Sequence, residues 1–250
     1  MTGGQLALVS AAGLVGGFVN AIAGGGSLLL FPALVAGGLN TVAANVTNAV
    51  ALWPGYLGNV VALGREHRPG RGEWPVFLAT ALGAGAGCAL LLLTPVSAFS
   101  VVVPFLIIGA SLLLAGQDRI KQKLGHRIGG DRTGHLLSGA FVGSVYGGYF
   151  GGGLGVIFMA VLGLTLTAPL ARVNTLKGVL QLLVATVTLI VFAIFGPVHW
   201  LVAAIVAPIS LLGGIIGGRL ARRLSERVLR GFVVVFGLLV GIWLAVRALG

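Results

Sequence analysis

Apolar residues run along this chain in long stretches broken by a few short hydrophilic loops, and the breaks define the elements. Two short apolar runs flank Gly24, Gly25 and Gly26 within residues 11–48. Apolar segments follow over 41–63, 75–93 and 99–116, separated by a hydrophilic loop at 64–74 and a turn at 94–98. After a long polar stretch at 117–134 the pattern restarts. A second glycine-split pair covers 135–166, segments at 171–195 and 200–218 are joined by a turn at 196–199, and a basic loop precedes a last segment at 231–249. Lipid admits only helices or closed barrels, and these runs are too long and too continuously apolar for alternating barrel strands. The expected fold is therefore an all-α polytopic membrane protein.

The restart is a duplication. Sliding residues 11–48 by 127 positions lays them on 138–175 without a gap, so that Gly24, Gly25 and Gly26 fall on Gly151, Gly152 and Gly153. Val15, Gly16, Phe31, Ala33, Leu39, Ala44 and Val46 also meet identical residues. Further on, Trp74 matches Trp200, Gly83 and Gly87 match Gly213 and Gly217, and Val101–Val103 with Gly109 match Val233–Val235 with Gly241. Two repeats are expected, 1–125 and 126–250. The runs after each triplet, 27–39 and 154–164, are shorter than the roughly 17–25 residues of a spanning helix. Each glycine-split pair thus reads as a re-entrant hairpin with a half-helix, leaving about six full transmembrane helices.

Composition fixes the solvent and charge fixes the orientation. Apolar residues make up 57% of the 250 and charged residues 8%, with a mean hydropathy of +1.07. Such a chain has lipid as its surroundings. No Lys or Arg precedes the first apolar run, which argues against a cleaved signal peptide. Cys88 is alone, so there is no disulfide framework. The net charge of +11 does not point to nucleic acid, because 13 of the 16 Lys and Arg residues fall at 65–71, 119–132 and 219–230. If each glycine-split pair returns to the side it came from, all three clusters share one face, which the positive-inside rule makes cytoplasmic. The turns at 94–98 and 196–199 then lie opposite, both termini are outside, and each half has an odd number of crossings. The second repeat is therefore inverted relative to the first, the arrangement in which glycine-broken segments mark a transporter's binding site.

Polar residues within the apolar runs are the site candidates, since intramembrane polarity is costly. Asn20 and Ser27 flank the first triplet; Tyr146 and Tyr149 precede the second. Asn45 and Asn48 stand three apart on one helical face, and Arg172 and Thr175 take their places in the copy. Lys177 and Gln181 continue that copy. Helices starting at Ser27 and Leu154 would direct N–H groups and positive dipole ends at an anion. Blander readings stand beside these: glycines as close-packing positions, Arg172 and Lys177 as flanking cations, Asn45 as a helix cross-link. All five acids, Glu66, Glu73, Asp118, Asp131 and Glu226, sit in the hydrophilic loops. A cation carrier is disfavoured, and proton or co-substrate coupling would need His, Tyr or the substrate's own protonation.

Enzyme chemistry finds little footing. GGGS and GGGLG lack the lysine of a phosphate-binding GxxxxGK[ST] loop, and HExxH, CxxC and carboxylate pairs are absent. No cofactor or metal is expected. An intramembrane serine protease built on Ser27 with His135 or His199, and an accessory membrane subunit, are the alternatives carried forward.

The stretches GLVGGFVNAIAGGGSLLLFPAL with ANVTN, GAFVGSVYGGYFGGGLGVIF with ARVNTLK, and the end GGIIGGRLARRLSERVLRGFVVVFGLLVGIWL together resemble the sulfite exporter TauE/SafE family of permeases. The likeness covers nearly the whole chain. It implies transport of small sulfur-containing anions such as sulfite, sulfonates, thiosulfate or sulfoacetate, generally across a bacterial inner membrane. The positions it carries over are the two glycine triplets, Asn20, Asn45, Asn48, Asn174 and Lys177. The chain departs from the family in Phe31-Pro32 after only three leucines and in a tyrosine-rich second hairpin.

Overall fold

Continuous apolar sequence with no turn signals forms helix wherever the backbone must bond to itself, and the computed structural model is helical throughout its described residues. These are 1–22, 24–63, 73–117, 119, 133–166, 168–220 and 226–249. In order they hold α1 (Gly3–Ile22), α2 (Ser27–Ala36), α3 (Thr41–Leu63), α4 (Trp74–Leu93) and α5 (Val96–Ala115). Then come α6 (Thr133–Tyr149), α7 (Leu154–Thr165), α8 (Leu170–Phe195), α9 (Trp200–Leu220) and α10 (Glu226–Leu249). The loop residues Arg65, Glu66, Arg68, Arg71, Asp118, Lys121, Lys123, Arg127, Asp131, Arg132, Arg222 and Arg223 lie outside the described residues.

Among the described residues six helices are long and apolar enough to cross a membrane: α1, α4, α5, α8, α9 and α10. The number is as expected, but the set differs: α1, expected as an arm of the first glycine-split pair, meets both criteria, and α3, expected as a span, is not among the six. At 23 residues α3 is long enough, yet it carries Asn45, Thr47, Asn48 and Asn59, all buried. Its polarity is hidden by neighbouring helices, so it needs less apolar surface than a lipid-facing span. Two boundaries also move. Helix α5 begins at Val96, directly after Pro95, shortening the turn expected at 94–98. Helix α10 begins at Glu226, so Arg230, expected in a loop, is a buried helical residue. Hydropathy marks only the part of a helix in hydrocarbon, and backbone pairing continues beyond it.

Helices α2 and α7 have 10 and 12 residues, about 15 and 18 Å at 1.5 Å per residue. Each folds back on the helix before it. The Gly26 carbonyl lies against Gly16 in the first pair; in the second, Gly147 meets Leu154 and Gly143 meets Phe158.

Helix packing follows the sequence duplication. Helix α1 lies along α9 and α4 along α6; α3 packs on α8 and α9, and α8 on α4; α5 packs on α10. Exchanging α1–α5 for α6–α10 reproduces each of these contacts, and also those of α2 with α10 and of α7 with α5. The repeat-matched glycines do equivalent work. A Cβ on Gly83 or Gly87 would strike the α6 carbonyls of Phe141 and Val145, and one on Gly213 or Gly217 the α1 carbonyls of Leu14 and Phe18. Small residues let two backbones approach where lipid offers no hydrophobic drive to hold helices together.

Candidate functional site

The chain can reverse at each glycine triplet because its first residue takes a conformation that side chains resist. Gly24 and Gly151 both have φ of +77°, the left-handed region. They are the positions matched by the 127-residue slide, so the duplication extends to backbone geometry. Gly153 is also left-handed, at +72°, whereas its counterpart Gly26 is right-handed, at −61°.

The two breaks meet. A Cβ placed on Gly24 would stand 3.4 Å from Gly155 Cα in the first turn of α7, and one on Gly152 would stand 3.1 Å from Leu28 Cδ2 in the first turn of α2. Helices α5 and α10 brace the pair, with Leu114 and Val233 against Gly25 and Ala110 against Gly153. Beside the junction lies a small cavity of about 30 Å³, space for about one water. Ser27, Asn48, Tyr56, Gln181 and Thr188 supply its polar wall, with Gly147, Phe150, Gly151, Leu154 and apolar side chains of α3 and α8 between them.

Two of these wall residues hold unpaired polar atoms. Asn48 Oδ1 and Gln181 Nε2 have no hydrogen-bond partner, and each residue is only 2% exposed. Gln181 Nε2 sits where the two breaks converge, 3.7 Å from a Cβ on Gly24 and 3.0 Å from one on Gly155. A buried unpaired amide costs about 1–3 kcal/mol, so its persistence here needs a reason. The Tyr56 hydroxyl lies against the Ser27 and Asn20 side chains.

Three other sequence candidates bond to the backbone around the breaks. Asn20 Oδ1 accepts from Gly26 N at 2.7 Å, closing the first break, while its Nδ2 stays unpaired. Asn45 Nδ2 donates to the Tyr149 carbonyl at 2.9 Å, tying α3 to the end of α6. Tyr146 Oη donates to the Gly152 carbonyl at 2.5 Å. Asn174, Thr175 and Lys177 are half-buried on α8 and absent from the cavity wall. Arg172 pairs with Glu73 at 3.3 Å near the starts of α8 and α4. The backbone donors expected at the start of α2 are largely taken internally: Leu28 N bonds to Gly25 O, and Leu29 N and Leu30 N bond to Gly26 O. Side chains carry more of the site than the sequence suggested.

Tyr56 and Thr188 were not singled out from the sequence. A signal existed: Asn48, Leu52 and Tyr56 recur every four residues on one face of α3, and Gln181, Val184 and Thr188 share one face of α8.

A second hollow, about 430 Å³, opens where α2 ends and α3 and α5 begin. Val35, Asn40, Thr41, Ser100, Val103 and Leu244 line it, and Thr41 Oγ1 and Ser100 Oγ bond at 2.8 Å on its wall. Ser27, Phe31 and Val35 lie one turn apart along α2. The face that starts in the cavity thus reaches the hollow through Phe31, whose ring meets Phe150 edge-on with centroids 5.7 Å apart. Phe99 and Tyr149 form a similar pair at 5.5 Å.

A catalytic reading has no support in this geometry. Ser27 faces Tyr56, no histidine lines the cavity, and the His199 N–H is bonded to Thr47 Oγ1 at 3.0 Å. Among the described residues no group of His, Cys, Asp or Glu could hold a metal. A bundle with six membrane-length apolar helices and a neutral polar pocket at two glycine breaks defines a class, the polytopic membrane transporters.

A model of the family described as sulfite exporter TauE/SafE matches residues 9–244, and the chain belongs to that family. It is 29% identical over 244 residues to a probable membrane transporter protein of Haemophilus influenzae, covering 92% of this chain and 90% of that one. Identity is 28% over 262 residues to the probable membrane transporter protein ORF9 of a Sinorhizobium species, with 98% and 92% covered. It is 24% over 233 residues to the probable membrane transporter protein YfcA of Escherichia coli K12, with 89% and 82% covered. No solved structure matches the chain. The protein is a multi-pass membrane transporter, not an enzyme.

Proposed function

We propose that this transporter moves small sulfur-containing anions, such as sulfite or sulfonates, across a bacterial inner membrane by alternating access, with the anion held between the two glycine breaks. The observation that carries this reading is the unpaired Gln181 Nε2 at the junction of Gly24 and Gly155. An oxyanion oxygen is the partner that such a donor lacks, and hydrogen bonds to a charged acceptor are the strong ones. Ser27, Tyr56 and Thr188 add hydroxyls, and no Asp or Glu lines the cavity to repel the anion. Because the cavity is smaller than a four-atom oxyanion, the side chains around it part on binding.

The exchange symmetry of the helix contacts supports two structural repeats, 1–125 and 126–250, the second inverted and each opening with a re-entrant hairpin. The basic loops face the cytoplasm and both termini face outward, so the hollow beside Asn40 and Ser100 opens to the outside. Phe31–Phe150 and Phe99–Tyr149 then form the outer gate, closed in this conformation. Rocking one repeat against the other opens one side as the other shuts.

Flux of labelled sulfite and of a labelled sulfonate into proteoliposomes tests the reading. Gly25→Leu or Gly152→Leu abolishes flux, because either side chain fills the junction. Flux that survives both substitutions removes the breaks from the pathway.

A further inference from the structure

The site proposed above holds one unpaired acceptor as well as an unpaired donor, and the pair specifies more than charge. We propose that the species taken into the cavity is a half-protonated oxyacid, a monoanion that keeps one acidic hydrogen: hydrogensulfite rather than the sulfite dianion. This rests on the anion reading and narrows it to one protonation state.

Two arguments converge. The first is chemical matching. Gln181 Nε2 can only donate and Asn48 Oδ1 can only accept, both are unpartnered, and both belong to the wall of one cavity. A dianion, which has acceptor oxygens alone, satisfies the glutamine and sets lone pairs against the Asn48 oxygen. A monoanion with one O–H places an O⁻ at Gln181, Ser27 and Tyr56 and donates its hydrogen to Asn48.

The second argument is charge. No cationic side chain lines the cavity. The titratable groups on the elements around it are Tyr56 on α3, His135, Tyr146 and Tyr149 on α6, and Arg172 and Lys177 on α8, whereas α2 and α7 carry none; His135 stands at the start of α6 and Arg172 is paired with Glu73, both away from the wall. Lys177 stands one turn before Gln181 and off the wall. Neutral donors can hold one desolvated charge, whereas a second charge of the same sign has no counterion here, and burying an unpaired charge is the costliest step available. The bound proton also removes the need for a carboxylate relay, because the substrate carries it across and releases it in the more alkaline compartment.

Thermal-shift titrations of the wild-type protein across the second ionisation of sulfite test this, with methanesulfonate as the second probe. Methanesulfonate keeps a single charge and no acidic hydrogen throughout that range. The apparent sulfite affinity is expected to fall up to ten-fold per pH unit above that ionisation, while methanesulfonate binding stays flat. Asn48→Leu is expected to cost sulfite at least ten-fold more than it costs methanesulfonate. Sulfite binding that is flat or tightens with pH overturns the inference, as does a parallel decline for methanesulfonate, which would assign the titration to the protein. If methanesulfonate binds while sulfite fails the pH test, only the protonation inference falls; if neither anion binds at any pH, the anion reading falls with it.

Discussion

Gln181 is the residue on which most of the proposed reading depends, because its amide nitrogen is buried without a partner at the meeting point of two backbone breaks. On the proposed reading this nitrogen is held ready for an anion at a cost of about 1–3 kcal/mol. Gln181→Leu removes that cost together with the function. Thermal stability in the absence of ligand is expected to hold or rise, while sulfite affinity drops roughly ten- to hundred-fold, corresponding to about 1.5–3 kcal/mol for a hydrogen bond to a charged group. Paired melting and binding measurements check this, and a variant that loses stability while keeping affinity makes Gln181 structural. Gly24 and Gly151 behave in the opposite way. Alanine at either is forced into the left-handed region at a cost of about 1–2 kcal/mol, so both Gly24→Ala and Gly151→Ala are expected to melt earlier than wild type. Gly3→Ala, in open space at the start of α1, serves as the neutral control.

At the scale of elements, the proposed reading makes the short helices the working parts and the long ones the frame. Helix α2 is only 10 residues, and eight of them, Ser27 to Leu34, are buried; a helix so short is held by its surroundings rather than by its own propensity. It joins the cavity at Ser27 to the hollow at Val35, with Phe31 between. Phe31→Ala opens that route, and sulfite leak through proteoliposomes is expected to rise and lose saturation, as measured by flux against concentration. The long pairs α1 with α9 and α4 with α6 depend on glycine. Gly87→Leu would force α4 off the Val145 carbonyl, and the expected outcome is poor folding, read as aggregation on size exclusion. The sequence displayed those glycines and their matching positions, and it displayed the short runs after each triplet. It did not show that α3 is enclosed by other helices, because length and hydropathy do not report which helix its neighbours cover.

The whole molecule combines two packing halves that share every major contact type under exchange of α1–α5 with α6–α10. If α5 crosses the membrane, the turn before it and the segment after it lie on opposite sides, and the proposed topology puts the turn outside. With Cys88 replaced by serine, Val96→Cys is expected to react with a membrane-impermeant maleimide from outside intact cells, and Arg119→Cys only after the membrane is opened. Labelling of both positions from one side would rule out this topology.

The sequence by itself determined the solvent, the helical class, the duplication and the places where the chain must break, because these depend on local composition and on glycine's freedom at Gly24 and Gly151. It pointed to Asn48 and Gln181 through the expense of polarity in lipid. Only the tertiary structure decided that Gln181 meets both breaks, that Asn20 Oδ1 and Asn45 Nδ2 bond to the backbone at Gly26 and Tyr149, and that Tyr56 joins the wall. Hydrogen-bond satisfaction is a property of neighbours distant in sequence: Gly155 lies 131 positions beyond Gly24, and nothing along the chain records that they touch.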